Sequence, residues 1–290
     1  MGKPISNKPH LVLRSGLDTL YSEFNAGQSV TDPVWIVHRF ERSEDREVVA
    51  FIASALAFGR VQSVINSIEG MLQVMGPSPA RFVRDFTPSR DRECFKHLVH
   101  RWTNGADFAA LVWILRQMID RSGSIENFFV EGLEADAVDV GGALQSFSTR
   151  ALALDVAAVY GRKRPKPGVA YFFSRPSSGG ACKRLNLFLR WMVREDRVDL
   201  GVWKKVRPGQ LIVPLDTHII RVGRCLGLTK LKSPGWRMAA DITASLRALD
   251  PADPVKFDFS MCHLGMMNGC GFGKKTGDLR CPLKGACRPF

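Results

Sequence analysis

The sequence predicts an all-α fold on three observations. Apolar residues recur at helical spacing through most of the 290 residues, residues 210–213 (QLIV) alone resemble a strand, and glycine or proline marks the ends of the helical stretches. Hydrophobic residues make up 45% of the chain and charged residues 24%, a balance that buries a substantial core. No apolar run approaches the roughly 18 residues of a membrane-spanning helix, so no membrane partner is expected.

Residues 44–76 (EDREVVAFIASALAFGRVQSVINSIEGMLQVMG) form the first long helical stretch, with a break near Gly59. Ser43 and Asp45 are its candidate caps, and Gly76-Pro77 ends it. A second helix is predicted over 107–123, with Gly123 at its end, and a third over 142–161. Residues 161–180 (GRKRPKPGVAYFFSRPSSGG) are rich in proline, glycine and arginine and read as non-helical. A helix over 181–194 follows, then a loop through 207–214 (RPGQLIVP), a helical pattern over 215–228, and further helices over 236–250 and 253–269.

The net charge of +13 is concentrated in two places. Residues 161–205 hold twelve Lys/Arg against three acids and residues 270–290 hold five against Asp278, which together account for the whole excess. Such clustering predicts a polyanionic partner, because each neutralised phosphate releases counterions. Of the seven cysteines, Cys94, Cys182 and Cys225 sit singly among apolar residues and read as buried thiols, whereas Cys262, Cys270, Cys281 and Cys287 gather toward the C-terminus. The start of the chain has no apolar signal-peptide core. A reduced, cytoplasmic and nucleoid-associated setting is therefore expected, with the protein acting as a monomer.

The helix over 181–194 has two faces. Ala181, Leu185, Phe188 and Met192 make an apolar stripe, and Lys183, Asn186, Arg190 and Arg194, at spacings of three, four and four, make a basic one, with Arg175 and Arg184 nearby. Lys183 lies in the first turn, where the positive end of the helix dipole disfavours a cation by roughly 0.3–1 kcal/mol. The approach (RPSSGG, 175–180) is a tight glycine-rich turn whose backbone N–H groups, at Ser178, Gly179 and Gly180, can meet phosphate at a helix start. A solvated helix face is the plain reading of the stripe; exposed amide donors beside it suit a grip on a nucleic-acid backbone. In IVPLDTHII (212–220), Asp216 stands where an extended approach through Pro214 becomes helical, so it can cap that helix. His218 reads as an ordinary, partly buried histidine.

The glycine-rich turn, Lys183 and the VPLDTH segment together resemble the helix-hairpin-helix DNA glycosylase superfamily. In that superfamily a glycine-rich hairpin precedes a lysine at the start of the next helix, and a VPVD-x-H-like segment supplies the catalytic aspartate. The segments ACKRLNLFLRWMVR, DLGVW and PLDTHIIRV resemble still more closely an uncharacterised bacterial family, DUF2400. The hairpin here carries one extra residue before the lysine, and the Lys183–Asp216 separation of 33 is closer to that of archaeal 8-oxoguanine glycosylases. The resemblance implies a two-lobed fold with the active-site cleft between the lobes. One lobe would span 45–205 and end in the hairpin and the Lys183 helix; the other would combine 1–44 with 206–290 and hold Asp216 and the C-terminal cysteines.

It also implies a bifunctional DNA glycosylase/AP lyase acting on duplex DNA that carries a damaged base, an oxidised purine among the candidates. Lys183 would attack C1′ as a neutral amine and form a Schiff base, and Asp216 would stabilise positive charge on the sugar. Arg175, Ser178, Gly179, Gly180, Arg184, Arg190 and Arg194 would hold the DNA. The target base must leave the duplex to reach the cleft; Trp35, Phe58, Trp203 and Trp236 are conceivable walls for it, with core packing the plainer role. The alternatives are a non-catalytic helical DNA- or RNA-binding protein and an enzyme that modifies a base on the same scaffold. The Lys183–Asp216 pair favours either enzyme, since a purely binding hairpin needs neither residue.

Related glycosylases hold a [4Fe–4S] cluster on Cys-x6-Cys-x2-Cys-x5-Cys. Cys281 and Cys287 reproduce the last interval and Cys270 can serve as the first ligand, but Asp278 occupies one expected cysteine position, leaving Cys262 as the substitute. A cluster, a zinc ion and plain thiols all remain open on this pattern.

Overall fold

The computed structural model describes residues 8–25, 32–266, 281, 283 and 286. Among them the longer helices are α1 (Lys8–Phe24), α2 (Ser43–Ala55), α3 (Val61–Met75), α4 (Gly105–Ser122), α5 (Gly141–Ala153), α6 (Lys183–Val193), α7 (Thr217–Cys225), α8 (Trp236–Leu249) and α9 (Asp258–Met266). Shorter helical turns connect them. The sheet found among the described residues is a two-stranded antiparallel hairpin, β1 (Val99–His100) with β2 (Thr103–Asn104), in which His100 faces Thr103. The fold is thus mostly helical, as the periodicity predicts. Residues 210–213 do not form a strand; the short turn Pro208–Gln210 leads into extended, unpaired chain. Among the described residues no helix is long and apolar enough to cross a membrane.

Several helix boundaries differ from the sequence reading for identifiable reasons. The 44–76 stretch divides into α2 and α3, and Gly59, between them, takes a φ of 103° that few residues with a side chain tolerate. Ser43 and Asp45 do not cap α2. The helix begins at Ser43, and the buried Asp45 carboxylate instead accepts the Ala80 amide at 2.8 Å, at the start of the helix Pro79–Asp85. α4 is fully capped: Asn104 and Asp107 form a reciprocal capping box, and Gly123 closes the helix at a φ of 85°. The helix expected over 142–161 ends at Ala153, where the chain turns extended, and resumes as the turn Ala157–Tyr160.

α6 lies along α2. Its Phe188 meets Phe51 edge-on at 5.1 Å and Trp203 at 5.1 Å, and burial of a side chain of this size contributes about 1.5–3 kcal/mol. The buried Arg184 fastens the pair, donating to the Ala55 carbonyl at 3.0 Å and to the Tyr171 carbonyl, with its guanidinium 3.6 Å over the Tyr171 ring. Elsewhere α7 packs on α9, and α9 packs on α1. Gly265 permits the first of these contacts, since a Cβ there would fall 2.8 Å from Cβ of His218. The buried apolar side chains form one continuous cluster from Leu17 to Leu283.

The polar half of α6 is buried as well. Arg190 and Arg194 are each 3% exposed and Asp199 1%. Arg190 pairs with Asp199 at 3.1 Å and with Asp258; Arg194 pairs with Asp199, with Asp196 at 3.0 Å and with Asp253 at 2.9 Å. Burial opposes the charge on both guanidiniums, but the surrounding carboxylates outweigh it and raise their pKa values. An isolated buried charge is costly, so the arginines and aspartates each require the others. Asp199→Ala removes a partner from both arginines and should cost about 3–5 kcal/mol in chemical denaturation. A loss below about 1 kcal/mol, the range of an exposed pair, would show that the network is solvated in solution.

Candidate active site

Lys183 owes its position to the turn before it. Ser178 and Gly179 fold back onto Arg175 and Pro176, Gly179 adopts a φ of 78°, and Cys182 enters the helix at a φ of 49°, a left-handed conformation unusual for a side-chain-bearing residue. The Gly179 carbonyl accepts the Trp236 amide at 3.1 Å, which fastens the turn to the start of α8. Among the described residues, no side chain caps α6 and the backbone N–H groups of Gly180 and Ala181 have no acceptor. Lys183 is half-buried and has no ion-pair partner among the described residues.

Asp216 caps α7, as its place in the sequence suggests. Its Oδ1 accepts the amides of His218 at 2.9 Å and Ile219 at 2.8 Å, and its Oδ2 accepts the Cys262 thiol at 3.2 Å. The 33 residues separating Lys183 from Asp216 fold so that both side chains line one cavity of about 730 Å³. Phe58, Tyr171, Leu187 and Phe259 form much of its apolar wall. Trp102, 55% exposed on the turn between β1 and β2, packs against two of these wall residues, 5.1 Å from Phe58 and 4.9 Å from Tyr171.

A second carboxyl, Asp258, also lines the cavity. Its Oδ2 accepts Arg190, while Oδ1 is buried with no hydrogen-bond partner among the described residues. Burial pushes this carboxyl from its usual 3.8 up to about 6, with Arg190 pulling it down and Asp216 pushing it up. Burial likewise pushes the Cys262 thiol up, and Asp216 and Asp258 add to the shift. Cys262 is therefore a protonated hydrogen-bond donor to Asp216. Cys281 is buried, Cys270 and Cys287 lie outside the described residues, and among the described residues no three His, Cys, Asp or Glu side chains are grouped to hold a metal ion.

The expected basic stripe on α6 is corrected by this geometry. Arg190 and Arg194 face buried carboxylates, and the buried Arg184 is spent on backbone carbonyls and the Tyr171 ring, so none of the three presents a free charge to DNA. Burial also lowers the Arg184 pKa to about 10. Arg175, Ser178, Gly179 and Gly180 are exposed, in keeping with an accessible turn. Of the four aromatic candidates, Phe58 lines the cavity and Trp203 is core; Trp35 stacks on His38 at 4.7 Å, and Trp236 opens α8. The sequence reading missed Asp258, Tyr171 and Trp102. A signal for Asp258 was present, because it precedes Cys262 by four residues and so shares its helix face.

The family model described as protein of unknown function (DUF2400) matches residues 32–267. No curated protein and no solved structure matches the chain.

The raised Asp258 pKa has a consequence for stability. Between about pH 4 and 6 the folded state holds a proton on Asp258 that the unfolded chain has already lost, so this group's contribution to stability falls as pH rises through that window. Asp258→Asn removes the titration. The stability of the natural protein relative to the variant should therefore decline from pH 4 to 6 in denaturant titrations, and a flat difference would place the carboxyl in water.

Proposed function

We propose that the chain, which belongs to the DUF2400 family of unknown function, is a DNA base-excision glycosylase with AP lyase activity. The observation that carries this reading is the convergence of Lys183 and Asp216 on one cavity. The cavity lies within the usual range for small-molecule sites, about 300–1,000 Å³, and so has room for a nucleobase. A base turned out of the duplex would lie against Phe58, Tyr171 and Phe259, placing its sugar at the mouth between the two functional groups. Read this way, residues 175–182 are the hairpin of a helix-hairpin-helix element. Its unpaired amides at Gly180 and Ala181, with the exposed Arg175, would take the DNA backbone. Trp102 offers a stacking face beside the cavity wall. The two-lobed division about the cleft belongs to the same reading.

Breaking the N-glycosidic bond builds positive charge on the sugar. Asp216, fixed by two backbone amides and the Cys262 thiol, cannot turn away as that charge develops, and preorganisation of this kind favours the transition state over the ground state. Lys183 in its neutral form attacks C1′. Once the sugar ring opens, the resulting Schiff base permits β-elimination and strand scission.

Borohydride trapping on a panel of duplexes carrying single damaged bases tests the reading, because a covalent adduct requires the Schiff base. Lys183→Gln should abolish trapping while DNA affinity stays nearly unchanged; a variant that still traps assigns the chemistry to another amine.

Asp216→Asn separates the cap from the charge. Asparagine caps about as well as aspartate, so thermal stability should change little. Single-turnover excision should fall by several orders of magnitude, on the scale of roughly 3–4 kcal/mol or more. Near-native excision would leave Asp216 as a helix cap alone.

A further inference from the structure

Charge stabilisation at the sugar requires one acid, and the cavity is lined by three: Asp216, Asp258 and Asp32, whose Oδ1 accepts the Val34 amide at 3.0 Å. Asp258 enters the cavity from α9, is 3% exposed, and keeps Oδ1 free of any hydrogen bond among the described residues while Arg190 holds Oδ2. A buried, unpartnered carboxyl oxygen is costly, and a fold carries one without penalty only when something else completes it. The other polar groups of the cavity are largely committed. The Cys262 thiol bonds Asp216, His263 Nδ1 bonds the Phe259 carbonyl and Asp216 Oδ1 caps α7; His218 Nδ1, a nitrogen, is the other buried atom of the lining without a hydrogen-bond partner among the described residues. Asp258 Oδ1 is thus the buried oxygen left open for an incoming group.

We infer that Asp258 is the proton donor to the departing base, a second catalytic acid beside Asp216; this rests on the base-excision reading above. A neutral base leaves the sugar as an anion unless a proton reaches it, and a positioned acid contributes about 10²–10⁴-fold to such a step. Burial keeps Asp258 protonated further toward neutral pH than an ordinary aspartate, with a pKa of about 6. As the C1′–N bond breaks, its electron pair goes to the base and the Oδ1 proton moves to a ring nitrogen of that base. The Lys183 amine forms the new bond to C1′ and becomes positively charged. The Asp258 carboxylate just generated accepts the proton this nitrogen releases, which restores the acid. Two carboxyls in unlike surroundings divide the work: Asp216 meets charge on the sugar and Asp258 meets charge on the base.

The test exploits leaving groups. A 7-methylguanine base is already cationic and departs neutral without a proton, whereas hypoxanthine, 8-oxoguanine and uracil need one. In single-turnover assays on duplexes bearing each base, Asp258→Asn should slow release of the neutral bases about 100-fold or more while 7-methylguanine changes by less than about threefold. Asparagine keeps a carbonyl oxygen for Arg190, and thermal unfolding checks that the variant is folded. The unmodified protein gives an independent readout: a solvent deuterium isotope effect on neutral-base release that is absent for 7-methylguanine. Equal losses on both classes, no loss on either, or no difference in isotope effect would overturn Asp258 as the donor and leave the glycosylase reading standing. Release of 7-methylguanine alone would do the same. If neutral bases alone are released, the loss must be smallest for the base that departs most readily as an anion, and a uniform loss overturns the assignment. A natural protein that releases none of the four overturns both.

Discussion

Arg190 donates through Nε to Asp199 and through Nη1 to Asp258, and all three side chains are shut away from water. This interaction ties the last turn of α6, and the turn at 196–199 that follows it, to the first residue of α9. Charges at this depth are stable only as a set, because the desolvation of each is offset by the presence of the others. The register of α6 against α9 is therefore restricted. Lys183 lies seven residues before Arg190 on the same helix, roughly 10 Å along the axis, so the buried pair also sets how far the lysine reaches toward α7 and Asp216. Arg194 repeats the device one turn later with Asp196, Asp199 and Asp253.

The same guanidinium joins core to cavity. One face of Arg190 serves the fold through Asp199, and the other serves the site through Asp258, which lines the space shared by Lys183 and Asp216. Two of the carboxyls of that space, Asp216 and Asp258, are held by different means. Asp216 is gripped by helix-start amides and a thiol, whereas Asp258 is gripped on one oxygen by a cation and left open on the other. Different partners give otherwise identical side chains different chemistry, which is how one cavity can offer both a fixed negative charge and a reluctant acid.

Aromatic side chains form part of the cavity wall. Phe58, Trp102 and Tyr171 touch one another, and Arg184 lies over the Tyr171 ring while bracing the end of α2. The turn bearing Trp102 is tight enough to place Arg101 at a φ of 57°, a conformation that a side-chain-bearing residue adopts only where its surroundings require it. The open amides at 180–181 supply positive potential of a different kind, from backbone dipoles rather than from side-chain charge.

What the sequence determined by itself was local. Helical spacing identified the all-α class. The Gly-Gly turn before Lys183 and the capping place of Asp216 were legible from neighbours within a few residues, since helix starts, turns and caps are governed by short-range sterics and hydrogen bonding. It misread Ser43 and Asp45 as caps of their own helix, because the amide that Asp45 accepts belongs to Ala80, 35 residues away. It misread Arg190 and Arg194 as solvated for the same reason: periodicity tells which residues share a face, but not what that face meets. Asp196 and Asp199 come from the turn just after the helix, and Asp253 and Asp258 are brought in by the packing of another segment. Only the tertiary structure decided that Lys183, Asp216 and Asp258 share one cavity, because the energy of a buried charge depends on every group within a few ångströms, and those groups come from chain segments that no local pattern connects.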